Sequence, residues 1–203
     1  MKCSSFVSIL TGALSIVACG GGDAQGTGVT NASAFEGIYQ LTAASENTAG
    51  CAAPGASKLS ELHDQFFLLA SSEFFGQKVV ILTSCSSVAD CQTKRAAQLA
   101  NQPYQFEYNF WLSSTINATT LNGFEAGTGR SQGTQCVERT YADHVLTVAA
   151  DHSVQLESRS KKLEDQPQED GFCMVDPAKS KQEAASKECG SLEVVAGSFL
   201  QAS

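Results

Sequence analysis

Eight cysteines and three histidines are the residues through which this 203-residue chain could do chemistry. No two cysteines have the short Cys-x2–4-Cys spacing of a structural zinc site, and no histidine adjoins one in sequence. Each histidine instead touches an aspartate: His63-Asp64, Asp143-His144 and Asp151-His152. Neighbours in a strand point to opposite faces, so these are not ready-made acid–base pairs. The last two pairs fall at expected turns, where aspartate is favoured for bonding its own backbone. No Gly-x-Ser-x-Gly, His-Glu-x-x-His or phosphate-loop pattern is present. No catalytic, metal-binding or cofactor-binding residue is therefore expected, and the chain is not expected to be an enzyme.

The cysteines carry more information once the amino terminus is considered. After Met1-Lys2, residues 6–18 (FVSILTGALSIVA) form an uncharged run of thirteen. A bilayer span needs about 20 residues, so this run fits the apolar region of a secretory signal better. It shows neither the polar face nor the cap of a buried core helix. Small residues, Ala18-Cys19-Gly20, stand where such a signal is cut.

Ile16-Val17-Ala18-Cys19 resembles the lipobox of bacterial lipoproteins. That resemblance implies a signal peptide over 1–18 and a diacylglyceryl group on the Cys19 thiol. It further implies cleavage before that cysteine and acylation of the new amine. Gly20 follows where an aspartate would favour inner-membrane retention, so the outer membrane is favoured. Each buried methylene contributes about 0.8 kcal/mol, and two or three acyl chains hold a protein where one does so only marginally. Residues 20–34 (GGGDAQGTGVTNASA) then read as a flexible tether from Cys19, with an r.m.s. span of roughly 20 Å.

If Cys3 leaves with the signal and Cys19 carries lipid, six cysteines remain: Cys51, Cys85, Cys91, Cys136, Cys173 and Cys189. An even set in an exported chain reads as up to three disulfides. Removing Lys2 lowers the basic count from 13 to 12 against 21 acidic residues, a net charge of −9. Such a surface repels phosphate backbones, so no nucleic-acid partner is expected.

Residues 35–203 are long enough for one well-cored domain, and their patterning is that of strands. Phe35, Gly37, Tyr39 and Leu41 alternate with other residues. A loop rich in small residues, Ala43–Leu62, follows. Gln65–Ala70 and Gln77–Thr83 read as a hairpin, and Asp90–Ala100 as a short helix. The clearest strand is Tyr104–Leu112, with Tyr104, Phe106, Tyr108, Phe110 and Leu112 on one face. Ile116–Phe124, Thr134–Tyr141, Val145–Ala149 and Val154–Ser160 complete eight strands in succession. Asp176-Pro177 is a helix start, Asp as N-cap and Pro at the first position, with helix expected over 178–188. Leu192–Leu200 is a final strand. Of the charges crowded into residues 150–170, a solvated strand end and loop is the simpler account than a partner-binding patch.

This order of elements is similar to the lipocalins, with Gly37-Ile38-Tyr39 standing where that family has Gly-x-Trp. The resemblance, over 35–200, implies an all-β, antiparallel eight-to-nine-stranded barrel with one C-terminal helix; the alternative is a β-sandwich. It also implies that Arg159 packs over Tyr39. A ligand held in such a cup would meet Tyr39, Tyr104, Phe106, Tyr108 and Phe110, under the 43–62 loop as a lid.

The expected helix restricts the disulfides. From Asp176 to Cys189 it would rise about 20 Å, and three residues return only about 10 Å. The gap left exceeds the roughly 7 Å limit on Cα separation, so Cys173–Cys189 is disfavoured. Cys85–Cys91 is the natural local pair, and Cys51 and Cys136 then receive Cys173 and Cys189 in either order.

The expected function is a membrane-anchored envelope lipoprotein whose barrel binds a small hydrophobic ligand by burial against aromatic side chains. The alternative is a structural or protein-interaction module of the envelope with a filled core.

Overall fold

The computed structural model describes residues 28–74, 76–100, 109–127, 131–169 and 171–203. The expected signal peptide (1–18), Cys19 and residues 20–27 of the expected tether lie outside the described residues, as do Tyr104, Phe106 and Tyr108.

The domain is an all-β, nearly closed antiparallel barrel, the lipocalin-like arrangement expected, and not two packed sheets. Its strands are β1 (Gly37–Asn47), β2 (Phe66–Phe74), β3 (Gln77–Cys85), β4 (Phe110–Leu112), β5 (Ser114–Asn117) and β6 (Thr120–Gly127). Then come the short β7 (Ser131–Gln132) and β8 (Gln135–Cys136), β9 (Thr140–Val148), β10 (Val154–Lys162), the short β11 (Gln166–Pro167) and β12 (Ser191–Gln201). Nine of these make one sheet in the order β4-β3-β2-β1-β12-β10-β9-β6-β5; β11, β8 and β7 form a small separate sheet. The two edges, β4 and β5, are consecutive pieces of one segment joined at Ser113. That segment bends from β3 onto β6: Ser113 N donates to Asn122 O at 2.9 Å, and Trp111 Nε1 to Phe124 O at 3.2 Å. β4–β5 thus acts as one barrel stave that brings the sheet round on itself.

Several boundaries differ from the sequence reading. The stretch 116–124 is a hairpin turning at Ala118-Thr119, not one strand. Thr134–Tyr141 is not a barrel strand; its first half belongs to the small sheet and only Thr140-Tyr141 begins β9. β9 and β10 are nine-residue partners about a turn in which His152 takes a left-handed φ of 62°. Among the described residues seven staves therefore precede the C-terminal helix, and β12 is the eighth, pairing with both β10 and β1.

Two helices pack on the outside. The first, α1 (Val88–Leu99), starts on Ser87, whose Oγ accepts from Asp90 N at 3.1 Å. It lies over Ile38, Leu68 and Ala70, fastened by Cys91. The second, α2 (Pro177–Ala184), starts as the sequence indicates, with Asp176 Oδ1 accepting from Lys179 N at 3.0 Å. It stops four residues short of the expected end, where Lys161 Nζ caps the Ala184 carbonyl at 2.8 Å and the chain turns towards Cys189. Ala184 joins Tyr141 and Leu163 in a cluster outside the barrel wall.

Among the described residues the disulfides are Cys85–Cys91, Cys51–Cys189 and Cys136–Cys173, with Cα separations of 5.3, 5.7 and 5.5 Å. This is one of the two arrangements left open by the sequence. The β1–β12 ladder decides it: its last pair, Asn47 with Leu192, leaves Cys51 beside Cys189. Such a set of bridges belongs to an oxidising, exported environment. Among the described residues no helix is long and apolar enough to cross a membrane.

One end of the barrel is plugged. Residues 28–34 are not the flexible tether expected: Gly28–Phe35 crosses this end with Val29 N donating to Lys78 O at 2.8 Å and the Asn31 side chain reaching Ala118 O at 2.8 Å. Val29, Ala32 and Phe35 enter the main core with Leu69, Val80, Leu112, Leu121, Leu146 and Leu156. At the other end lie the long connections and all three disulfides.

Candidate functional site

The two halves of the barrel interior differ in chemistry. The half next to the plug is solid. Tyr39 is 1% exposed, its ring stacked on Phe67 at 5.2 Å and its hydroxyl donating to Phe35 O at 2.8 Å. Phe67 lies over Gly197, where any side chain would overlap its ring. Burial without a charged partner raises the Tyr39 phenol to about 12. Arg159 does not pack over it. Arg159 pairs with Leu192 and Tyr39 with Phe199, seven residues apart along β12 and so roughly 23 Å. Arg159 faces outward and pairs with Glu157 at 2.6 Å. Of the stretch expected as a lid, 43–62, residues 43–47 belong to β1 instead, and the rest doubles back along that strand, where Lys58 N donates to Ala44 O at 2.7 Å.

The loop-end half is polar. In one registered line across the wall, Gly123 of β6 pairs with His144 of β9, His144 with Ser158, Ser158 with Glu193, and Glu193 with Glu46 of β1. All face inward, since Leu146, Leu156 and Val195, two residues along their strands, belong to the main core. Glu46 is in phase because β1 bulges between Leu41 and Ala43, which returns Ala44 and Glu46 to the inner face. Glu125 lies two residues beyond Gly123 on the same face.

His144 is 1% exposed, and neither ring nitrogen has a hydrogen-bond partner. Its ring meets Phe110 edge-on at 4.8 Å, and its Nε2 lies 4.0 Å from Glu125 Oε2. Burial lowers its pKa to about 4 and raises that of Glu125. At neutral pH the imidazole is therefore uncharged, one nitrogen a donor and the other an acceptor. Glu125 is more open, its side chain 40% exposed. Burial first, and the Glu46 carboxylate second, raise Glu193 to about 7. Among the described residues no lysine or arginine pairs with Glu46, Glu125 or Glu193.

Of the aromatic residues expected to line a cup, Phe110 borders this region, while Tyr39 sits in the packed half. The histidines are dispersed: His63 is exposed beside Asp64, His152 is in the β9–β10 turn, and Asp143 points outward to accept from Tyr141 at 2.7 Å. His144 is not at a turn; it is the fifth residue of a nine-residue strand. Among the described residues no three His, Cys, Asp or Glu side chains are grouped to hold a metal ion.

The chain matches no family model, no curated protein sequence and no solved structure.

Proposed function

We propose that this protein is an exported lipoprotein, lipid-anchored through Cys19 in the cell envelope, outer membrane favoured, whose barrel holds a small ligand in its loop-end half. The Ile16-Val17-Ala18-Cys19 sequence supports export and anchoring, and the three disulfides support export. The observation that carries ligand binding is His144, a buried imidazole inside a barrel with both nitrogens unpartnered. A barrel filled only for stability would hold apolar side chains there, because a buried polar group without a partner costs about 1–3 kcal/mol. An eight-stave barrel is wide enough for one small ligand.

Denaturing the purified full chain and identifying the released small molecules by mass spectrometry tests the binding. A stoichiometric compound, lost in a His144→Phe variant, is expected; its absence under all preparations counts against the reading. For the anchor, Cys19→Ala should abolish metabolic labelling with palmitate, and persistent labelling would refute it.

The packed half favours a second reading, an envelope module that works through its surface with no ligand. It would be supported by an interior that takes up nothing from solution.

A further inference from the structure

We infer that the ligand is a small organic amine, its protonated nitrogen held by Glu46 and Glu193 and a second polar group on the unpartnered ring of His144. This rests on the reading that the barrel holds a ligand, and it replaces the purely apolar ligand of the sequence reading with a cationic one.

Three carboxylates line one half of a barrel, and the described residues bring them no counter-cation. Glu46 and Glu193 are directly paired across β1 and β12, where like charges repel. A cation between them would remove that repulsion and favour both ionised forms. A fatty acid or other anion would meet the same carboxylates as a third like charge. His144 supplies the independent pointer: it is fully enclosed, aimed at Glu125, and able to accept one hydrogen bond and donate another.

The dimensions suit a small molecule. His144 and Glu193 are separated by one strand, so their backbones stand about 10 Å apart along the wall before the side chains reach inward. Phe110, edge-on to His144, offers an apolar wall for the body of an aryl or alkyl amine. A bare divalent ion fits less well, because no three candidate ligands are grouped among the described residues.

Isothermal titration calorimetry of the full chain in non-ionic detergent at pH 8 tests the charge requirement with matched probes. Tyramine is compared with 4-ethylphenol, and putrescine with 1,4-butanediol, each pair differing in the amine. The amines are expected to bind saturably and at least tenfold more tightly than their neutral partners. Glu193→Gln should weaken the amines at least tenfold and leave the neutral probes within twofold. Glu46→Gln serves as the second variant should near-UV circular dichroism show the first to be misfolded. Equal affinity for charged and neutral probes, or binding of laurate in preference to tyramine, overturns the amine while leaving a ligand-binding barrel. Failure of every probe, laurate included, overturns both.

Discussion

Glu193 stands directly across the β1–β12 ladder from Glu46, and both carboxylates face the inside of the barrel. Two acids so placed in a poorly solvated interior resist ionising together, and Glu193 accordingly holds its proton up to about pH 7.

That proton makes stability depend on pH in an unusual way. Glu193 is raised from 4.5 to about 7, so the folded state binds the extra proton. Its contribution is greatest below pH 4.5 and is lost as the pH rises through 7, a change of roughly 3 kcal/mol. His144 is lowered from 6.5 to about 4, so its effect has the opposite sign: full above pH 6.5 and lost as the pH falls through 4. Between pH 4.5 and 6.5 the two nearly cancel. Against wild type in urea unfolding, Glu193→Gln should gain stability as the pH rises across that window, and His144→Phe should lose it. Parallel curves for all three proteins would show that neither group titrates as described.

The three disulfides close chain segments of very different length, with sequence separations of 138, 37 and 6 residues. By loop-closure entropy they stabilise by about 5, 4 and 2 kcal/mol in that order. Paired Cys→Ala variants should therefore lower the melting temperature most for Cys51/Cys189 and least for Cys85/Cys91. A reversed order would mean that the short bridge acts through α1 packing more than through the unfolded chain.

Gly123 sits where β4 crosses β6 at the barrel seam, and a Cβ there would overlap the Trp111 carbonyl oxygen. Gly123→Val should force β4 off β6 and destabilise by at least 1–3 kcal/mol, about the usual cost of overpacking. The loss should appear as faster amide exchange at Ser113 and Asn122, which share the seam hydrogen bond. Unchanged exchange at those amides would place the seam elsewhere.

Tyr39→Phe removes only the hydroxyl that donates to Phe35 O. It should cost about 1 kcal/mol, with increased hydrogen exchange confined to the plug, Val29 to Phe35. A uniform loss across the barrel would show that the plug is not an independent closing element.

The strands with regular alternation were legible from sequence, because an inner face of apolar residues leaves a period of two. Val154–Ser160 and the Phe66–Cys85 hairpin emerge nearly as read, and Asp176-Pro177 marks its helix correctly. The site was not legible, for two physical reasons. Its inner residues are polar, so Glu46, Glu125, His144 and Ser158 look like outward positions by hydropathy alone. The β1 bulge also shifts the phase of the strand, so Glu46 comes inward only by a register change that no local pattern records. The one available signal was His144-Val145-Leu146-Thr147-Val148, an alternating stretch with histidine in the apolar phase. The polar Asp143-His144 pair, turn-like in composition although it lies inside β9, masks that continuity.

The plug has a geometric outcome for the whole molecule. The chain enters the described domain at Gly28 and leaves it along β12 at Gln201, which pairs with Ile38. Entry and exit thus share one pole, while Glu125 and the three disulfides occupy the other. A domain hung from an amino-terminal lipid would present its polar cup towards the surroundings rather than towards the bilayer, and a reporter fused after Ser203 would leave that cup unobstructed.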